Sequence, residues 1–250
     1  MNIKVYTVGG GTFSKFMVAI QCILSNINNV NKINNIYIDI DRKRICRIRH
    51  KNISENPFNY VLDQKDIGGK NLNVLHASPS GVYQDIINHK DLNKLRIICS
   101  KIKIKKSIIN MVNPKIDPDT IGVHVRLTDM DQVHPIYGKS TTQKYITKIN
   151  NVLDNKKRKI FVASDNDNSI KIIKKNFNIM FNNVSNRHKN ETGNGYMEYL
   201  RSRSVDEQLW VDSFLEMLSL SRCGELIYKI SSLSITSIIF SKTIKKTYKP

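Results

Sequence analysis

The sequence predicts an α/β protein made of two Rossmann-like halves with parallel sheets. Three observations carry that reading. A strand-like run over residues 3–8 passes directly into Gly9, Gly10 and Gly11 and then into an amphipathic stretch. Strand, glycine turn and helix form the entry of a Rossmann-like unit. A second alternating run, TIGVHVRLTDM over residues 120–130, ends in His124, Arg126 and Asp129. Strand and helix patterns then alternate again, which argues for parallel strands with helices on both faces.

Each element has its own signature. Phe13, Phe16, Met17, Ile20, Ile23, Leu24 and Ile27 are spaced three and four apart, as on one face of a helix. The glycine turn before them lets backbone N–H groups approach an anion at the helix start. The G-x-G-x-x-G pattern is not met, and a tight strand-to-helix turn accounts for the glycines equally well. NIYIDI at 35–40 is a second strand, and Asp39 with Asp41 makes a D-x-D. Such a pair can hold a divalent metal on a pyrophosphate. Period-two alternation puts both carboxylates on one polar face, which equally suits a solvated strand.

Residues 54–64 read as a loop entering a short helix, and 82–113 as one helix with a basic face. Pro114 and Pro118 end it, which places the division between halves 1–115 and 116–250. After the strand at 120–130 comes a polar loop over 131–142. A helix follows at 142–153, with Thr141 or Thr142 as its cap. KIFVAS at 159–164 is a short strand ending in Asp165, Asn166 and Asp167. A helix at 169–177 and a strand at 179–181 come next. Residues 182–204 are polar, with little fixed structure expected. A strongly apolar helix at 205–221, a strand at 225–228 and a hydroxyl-rich turn into a last helix complete the pattern. The basic tail at 242–250 is expected to fray.

Composition narrows the function classes. The chain has 250 residues, 40% of them hydrophobic, enough for one large domain or two small ones. Lys and Arg number 40 against 21 Asp and Glu, a formal charge of +19. That excess fits an anionic partner, or a bias towards Lys, Asn and Ile as in NINNVNKINN and KIKIKK. No nucleic-acid motif accompanies it, so no specific nucleic acid is expected. Cys22, Cys46, Cys99 and Cys223 are far apart, with neither metal-ligand spacing nor a disulfide framework. No signal-peptide core and no membrane-spanning run is seen. The expectation is a soluble, cytoplasmic protein with reduced thiols.

Three strand ends point the same way. They carry His124, Arg126 and Asp129, then Asp165 and Asn166, then Ser231, Ser232 and Ser234. Arg126 offers a planar cationic fork that suits phosphate. A helix start lined with hydroxyls is a natural phosphate site. Asp165 or Glu216 matches the two adjacent N–H donors of guanine. Structural readings stand beside these. His124 also suits a core histidine, Arg126 with Asp129 an ion pair, and the serines a plain N-cap. DNDNS at 165–169 is no calcium loop, because the sixth position lacks Gly and the twelfth lacks Glu.

VHVRLTD resembles the H-x-R-x-x-D segment of α1,6-, α1,2- and protein O-fucosyltransferases. IFVASDN is similar to their second segment, and EMLSLSRCGELIYKISSLS to their third. GGGTFSKF and NPFNYVLDQ look like segments of the nodulation-type enzymes. The resemblance implies a GT-B fold with the nucleotide in the C-terminal half. It implies GDP-fucose as co-substrate, a glycan or protein acceptor, and inverting, metal-independent transfer without a cofactor. It places Arg126 on the β-phosphate, where charge grows as the glycosidic bond breaks. His124 would contact the nucleotide or order Arg126, and Asp129 would brace the loop. Asp165, Asn166 and Glu216 would lie around guanine or ribose. Ser231 and Ser232 would cap the phosphates, and Gly9 to Gly11 would close over them. Leu127 stands where the family often has a second basic residue, and Glu216 where Asp is common. The acceptor hydroxyl needs a base, for which Asp129, Glu55 and Glu198 are candidates. Two other classes stay open: a metal-dependent GT-A transferase using Asp39 and Asp41, and a non-enzymatic basic module that binds nucleic acid or membrane.

Overall fold

A computed structural model describes residues 1–7, 12–40, 56–64, 72–76, 88–127, 141–184 and 207–250. Gly9, Gly10, Gly11, Asp41, Cys46, Glu55, Asp129 and Glu198 lie outside the described residues, as do the stretches 131–140 and 185–206.

The first sheet is parallel, with β1 (Asn2–Thr7) between β2 (Asn35–Ile40) and β3 (Leu72–His76). Ile3 and Val5 of β1 and Ile36, Ile38 and Ile40 of β2 are buried. Helix α1 (Thr12–Asn26) covers them with Phe16, Ile20 and Ile23, the stripe that its three-and-four spacing foretold. Thr7 Oγ1 donates to the Lys15 carbonyl at 2.6 Å, which ties the end of β1 to the first turns of α1.

The second sheet is also parallel. Its order is β6 (Ile179–Met180), β5 (Ile160–Ser164), β4 (Ile121–Val125), β7 (Glu225–Tyr228), β8 (Lys246–Tyr248). β4 is central and buried along its whole length. Alternation sorts its side chains. Ile121, Val123 and Val125 pack with α4 (Thr142–Leu153) and α5 (Asp167–Asn176). The opposite face, with Phe161, Ala163, Leu226 and Tyr228, packs with α6 (Glu207–Arg222) and α7 (Ser232–Phe240).

A single core joins the two sheets. Phe13 and Phe16 of α1 lie 5.0 and 5.9 Å from the ring of Phe214 in α6, and Phe16 lies 5.7 Å from Phe240 of α7. Phe58 packs edge-on to Trp210 at 4.9 Å. Aromatic pairs at such distances contribute beyond the area they bury.

Two sequence expectations are corrected. Residues 82–113 are not one helix. Within the described part, α2 (Leu92–Ser100) and α3 (Lys106–Met111) are separate. Between them Ile104 bridges antiparallel to Leu62. Asp63 N donates to Lys103 O at 2.8 Å, and Lys105 N to Val61 O at 2.9 Å. KIKIK alternates with period two, and a buried neighbour segment satisfies its backbone. The tail is not frayed either. β8 pairs with β7, Ile244 is buried, and Thr243 Oγ1 donates to Cys223 O at 2.8 Å. Tyr248 donates its phenol to Glu225 at 2.7 Å. Two anchoring side chains outweigh the self-repulsion of the surrounding lysines.

Cys22, Cys99 and Cys223 are free thiols. No described helix is long and apolar enough to cross a membrane.

Candidate functional site

The site begins at the carboxyl end of β4. Gly122 lets α6 approach this strand closely, since a Cβ there would meet Cys223, Leu220 and Leu226 at 3.1 Å. Two residues on, His124 points to the same face. It is only 3% exposed, and its Nδ1 lies 3.3 Å from Ser231 Oγ. Burial, and secondarily the charge of Arg126, push its pKa down to about 3. The imidazole is therefore neutral at ordinary pH and a poor proton carrier.

Arg126 leaves the sheet one residue past β4. Val125 pairs with Ser164 of β5, so the next residues, Arg126 and Asp165, are neighbours. Arg126 Nη1 lies 3.1 Å from Asp165 Oδ2, with side chains 23% and 15% exposed. A charge-assisted contact at that depth holds the guanidinium at the sheet edge.

Ser231 caps α7. Its Oγ accepts from Ser234 N at 3.2 Å, and Ser234 Oγ accepts from Ser231 N at 3.1 Å, a capping box. Ser231 therefore joins the helix start to His124 on β4. Ser232 opens the helix and is half-buried. The positive end of α7 and the fork of Arg126 thus share one edge of the sheet.

No family model matches the sequence, and no curated protein does. Solved structures do match. The NodZ α-1,6-fucosyltransferase co-crystallised with GDP superposes with a TM-score of 0.55 at 14% identity, over 96% of this chain and 92% of that one. The same enzyme soaked with GDP-fucose gives a TM-score of 0.54 at the same identity and coverage. The fucosyltransferase NodZ from Bradyrhizobium gives 0.51, again at 14% identity over 96% and 92% of the two chains.

The fold is GT-B. At this identity the likeness is one of architecture alone.

Two separate parallel sheets do not favour the GT-A alternative. Within this GT-B chain Asp39 lies on β2 of the first sheet, half-buried, and its Oδ1 accepts from Ile40 N at 2.7 Å. Its intended partner Asp41 lies outside the described residues, as do Gly9, Gly10, Gly11 and Asp129. Among the described residues no group of His, Cys, Asp and Glu is arranged to hold a metal ion.

The remaining predicted residues are placed unequally. Asn166 is fully buried and caps α5, its Oδ1 accepting from Ser169 N at 2.9 Å. Ser169 Oγ in turn lies 3.1 Å from Thr142 Oγ1, locking α5 to α4. Glu216 is buried on α6, one turn after Asp212, to which Gln208 donates at 2.6 Å. Two cations at the same sheet edge escaped the sequence reading. Lys229 follows β7 and is 4% exposed. Lys249 follows β8, with its Nζ 3.5 Å from the centroid of the Tyr228 ring. The position of Lys229 between a strand and a serine cap was a usable signal. Lys249 had none, since nothing local marks β8 as part of the sheet.

Proposed function

We propose that this chain is a glycosyltransferase that moves fucose from GDP-fucose to a hydroxyl of a glycan or protein, with inversion and without a metal. The observation that carries the reading is Arg126, held by Asp165 at the carboxyl edge of the central strand, the strand whose His124 reaches the cap of α7. That edge is where open α/β sheets take their ligands. The GT-B fold shared with the GDP-bound and GDP-fucose-soaked NodZ enzymes supports it.

The acceptor oxygen attacks the anomeric carbon from the face opposite the leaving group, through an oxocarbenium-like transition state. Negative charge grows on the diphosphate as the glycosidic bond breaks. Arg126 and the backbone N–H groups that open α7 meet that charge, preorganised before the reaction. Asp165 keeps Arg126 in place. His124, neutral, couples Arg126's strand to the cap of α7 and takes no proton. Deprotonation of the acceptor falls to another group, with Asp129, Glu55 and Glu198 as candidates. GDP-fucose is a co-substrate, and no resident cofactor is required.

The test is a thermal-shift screen of GDP, UDP, ADP and their sugars in excess chelator. A selective response to GDP and GDP-fucose is expected, because ligand bound to the native state raises the midpoint by mass action. Silence across the panel refutes the reading. Salt-sensitive capture of DNA or anionic vesicles with no response to GDP would favour a non-enzymatic basic module instead.

A further inference from the structure

We propose that Lys249, delivered by β8, is the second cation of the diphosphate site. The inference rests on the nucleoside-diphosphate reading above and assigns a residue to that site.

A diphosphate leaving group carries more charge than one guanidinium neutralises. Leu127, directly after Arg126, packs against the core beneath α4 and α5 and supplies no charge. The register of the sheet supplies an alternative. His124 pairs with Tyr228, and Ile227 pairs with Tyr248, so Tyr228 and Lys249 stand opposite one another. Residues paired across a parallel ladder point to one face. His124, Tyr228 and Lys249 therefore form a row on the face that carries α7. The Lys249 ammonium leans along that row towards β4, 3.5 Å from the centre of the Tyr228 ring. The far end of the row is His124, in contact with the α7 cap through Ser231. β4 and β8 are two strand spacings apart, about 10 Å. Arg126 and Lys249 thus stand on the two strands that border β7, the strand from which α7 follows.

The position of Lys249 is built. Lys245 N donates to Gly224 O at 2.9 Å, and Tyr248 donates to Glu225 at 2.7 Å. Glu225 is itself held by Arg158 at 3.0 Å. Lys229 continues β7 opposite Val125, so the same alternation turns it to the face away from the row, where it is buried. Arg126, Lys229 and Lys249 thus end three adjacent strands.

The experiment compares GDP and GMP binding by calorimetry in the full chain and in Lys249→Gln, Lys249→Arg and Lys242→Gln. Lys242 is an exposed lysine outside the row. Lys249→Gln is expected to weaken GDP about tenfold, the scale of one charge-assisted hydrogen bond. GMP, which lacks the β-phosphate, should stay within about twofold on the same scale. Lys249→Arg and Lys242→Gln should bind GDP as the parent does. Unchanged GDP affinity in Lys249→Gln overturns the inference and leaves the nucleotide reading standing. An equal loss for GDP and GMP also overturns it, because Lys249 would then act only through the packing of β8. If the parent binds neither nucleotide, the nucleotide reading fails and this inference falls with it.

Discussion

Acidification offers the sharpest test of how deeply His124 is set into the site. The unfolded chain takes up a proton on this imidazole near its ordinary pKa of 6.5, whereas the folded chain does so only at about 3. Between those values the unfolded state holds the extra proton, so stability is complete above about pH 6.5 and falls as pH falls. At 1.36 kcal/mol per unit, the loss from this one group is about 2 kcal/mol at pH 5 and about 3 kcal/mol at pH 4. The control is His124→Asn, which keeps an amide near the Nδ1 position facing Ser231 and does not titrate. Urea denaturation of both proteins between about pH 8 and pH 4 separates this group from the carboxylates, which titrate in both. The parent should lose its stability margin over the variant by about 2 kcal/mol on going from pH 8 to pH 5. A difference that stays constant with pH would mean that the folded chain protonates His124 near its ordinary pKa of 6.5. The burial argument, and with it the neutral role assigned to this residue, would then be wrong.

Arg126→Ala should lower fucosyl transfer by at least about a hundredfold in protein that still unfolds cooperatively in urea, the cost of removing a preorganised partner for growing charge. Steady-state kinetics with GDP-fucose check this, and near-normal turnover counts against the assigned site. Asp165→Asn keeps the shape but frees Arg126 from its anchor, so a smaller loss of turnover is expected in the same assay. Gly224→Ala puts a Cβ 1.9 Å from the Pro118 carbonyl oxygen, a collision with backbone that no rotamer relieves. A loss of about 2 kcal/mol or more in urea denaturation should follow. Phe214→Ala removes a fully buried ring that touches both Phe13 and Phe16 and should cost about 3–5 kcal/mol. The fluorescence of Trp210, the sole tryptophan, reports that unfolding.

Much of the chain is legible because apolar spacing is local. NIYIDI, IGVHV and IFVAS read as strands from alternation or a short apolar run, and they are strands. The Thr141 cap of α4 follows from its place before a three-and-four pattern, and its side chain accepts from Lys144 N. Where the reading failed, a distant partner decided. KIKIK carries both a helical and a period-two pattern, and pairing with Val61 to Asp63 selects the second. The tail looked like a charged end because β7, the strand that receives it, is not visible from within residues 242–250.

Arg126 was found as a cation at a strand end, but its ion-pair partner was sought in Asp129, and Asp165 was assigned to guanine or ribose. Asp165 is its neighbour because β5 lies beside β4, a matter of strand order. Ser231 and His124 are 107 residues apart and meet only once α7 is laid on β4. The sequence alone determined the strands at 35–40, 121–125 and 160–164 and the helices that follow an apolar three-and-four spacing. It also determined that Arg126, Asp165 and Ser231 stand at their carboxyl ends, because those properties follow from the chemistry of a few adjacent residues. Tertiary structure decided the order β6-β5-β4-β7-β8, the partner of each charge and the neutrality of His124. A contact depends on which distant segment comes alongside, and a pKa depends on what displaces water from the group.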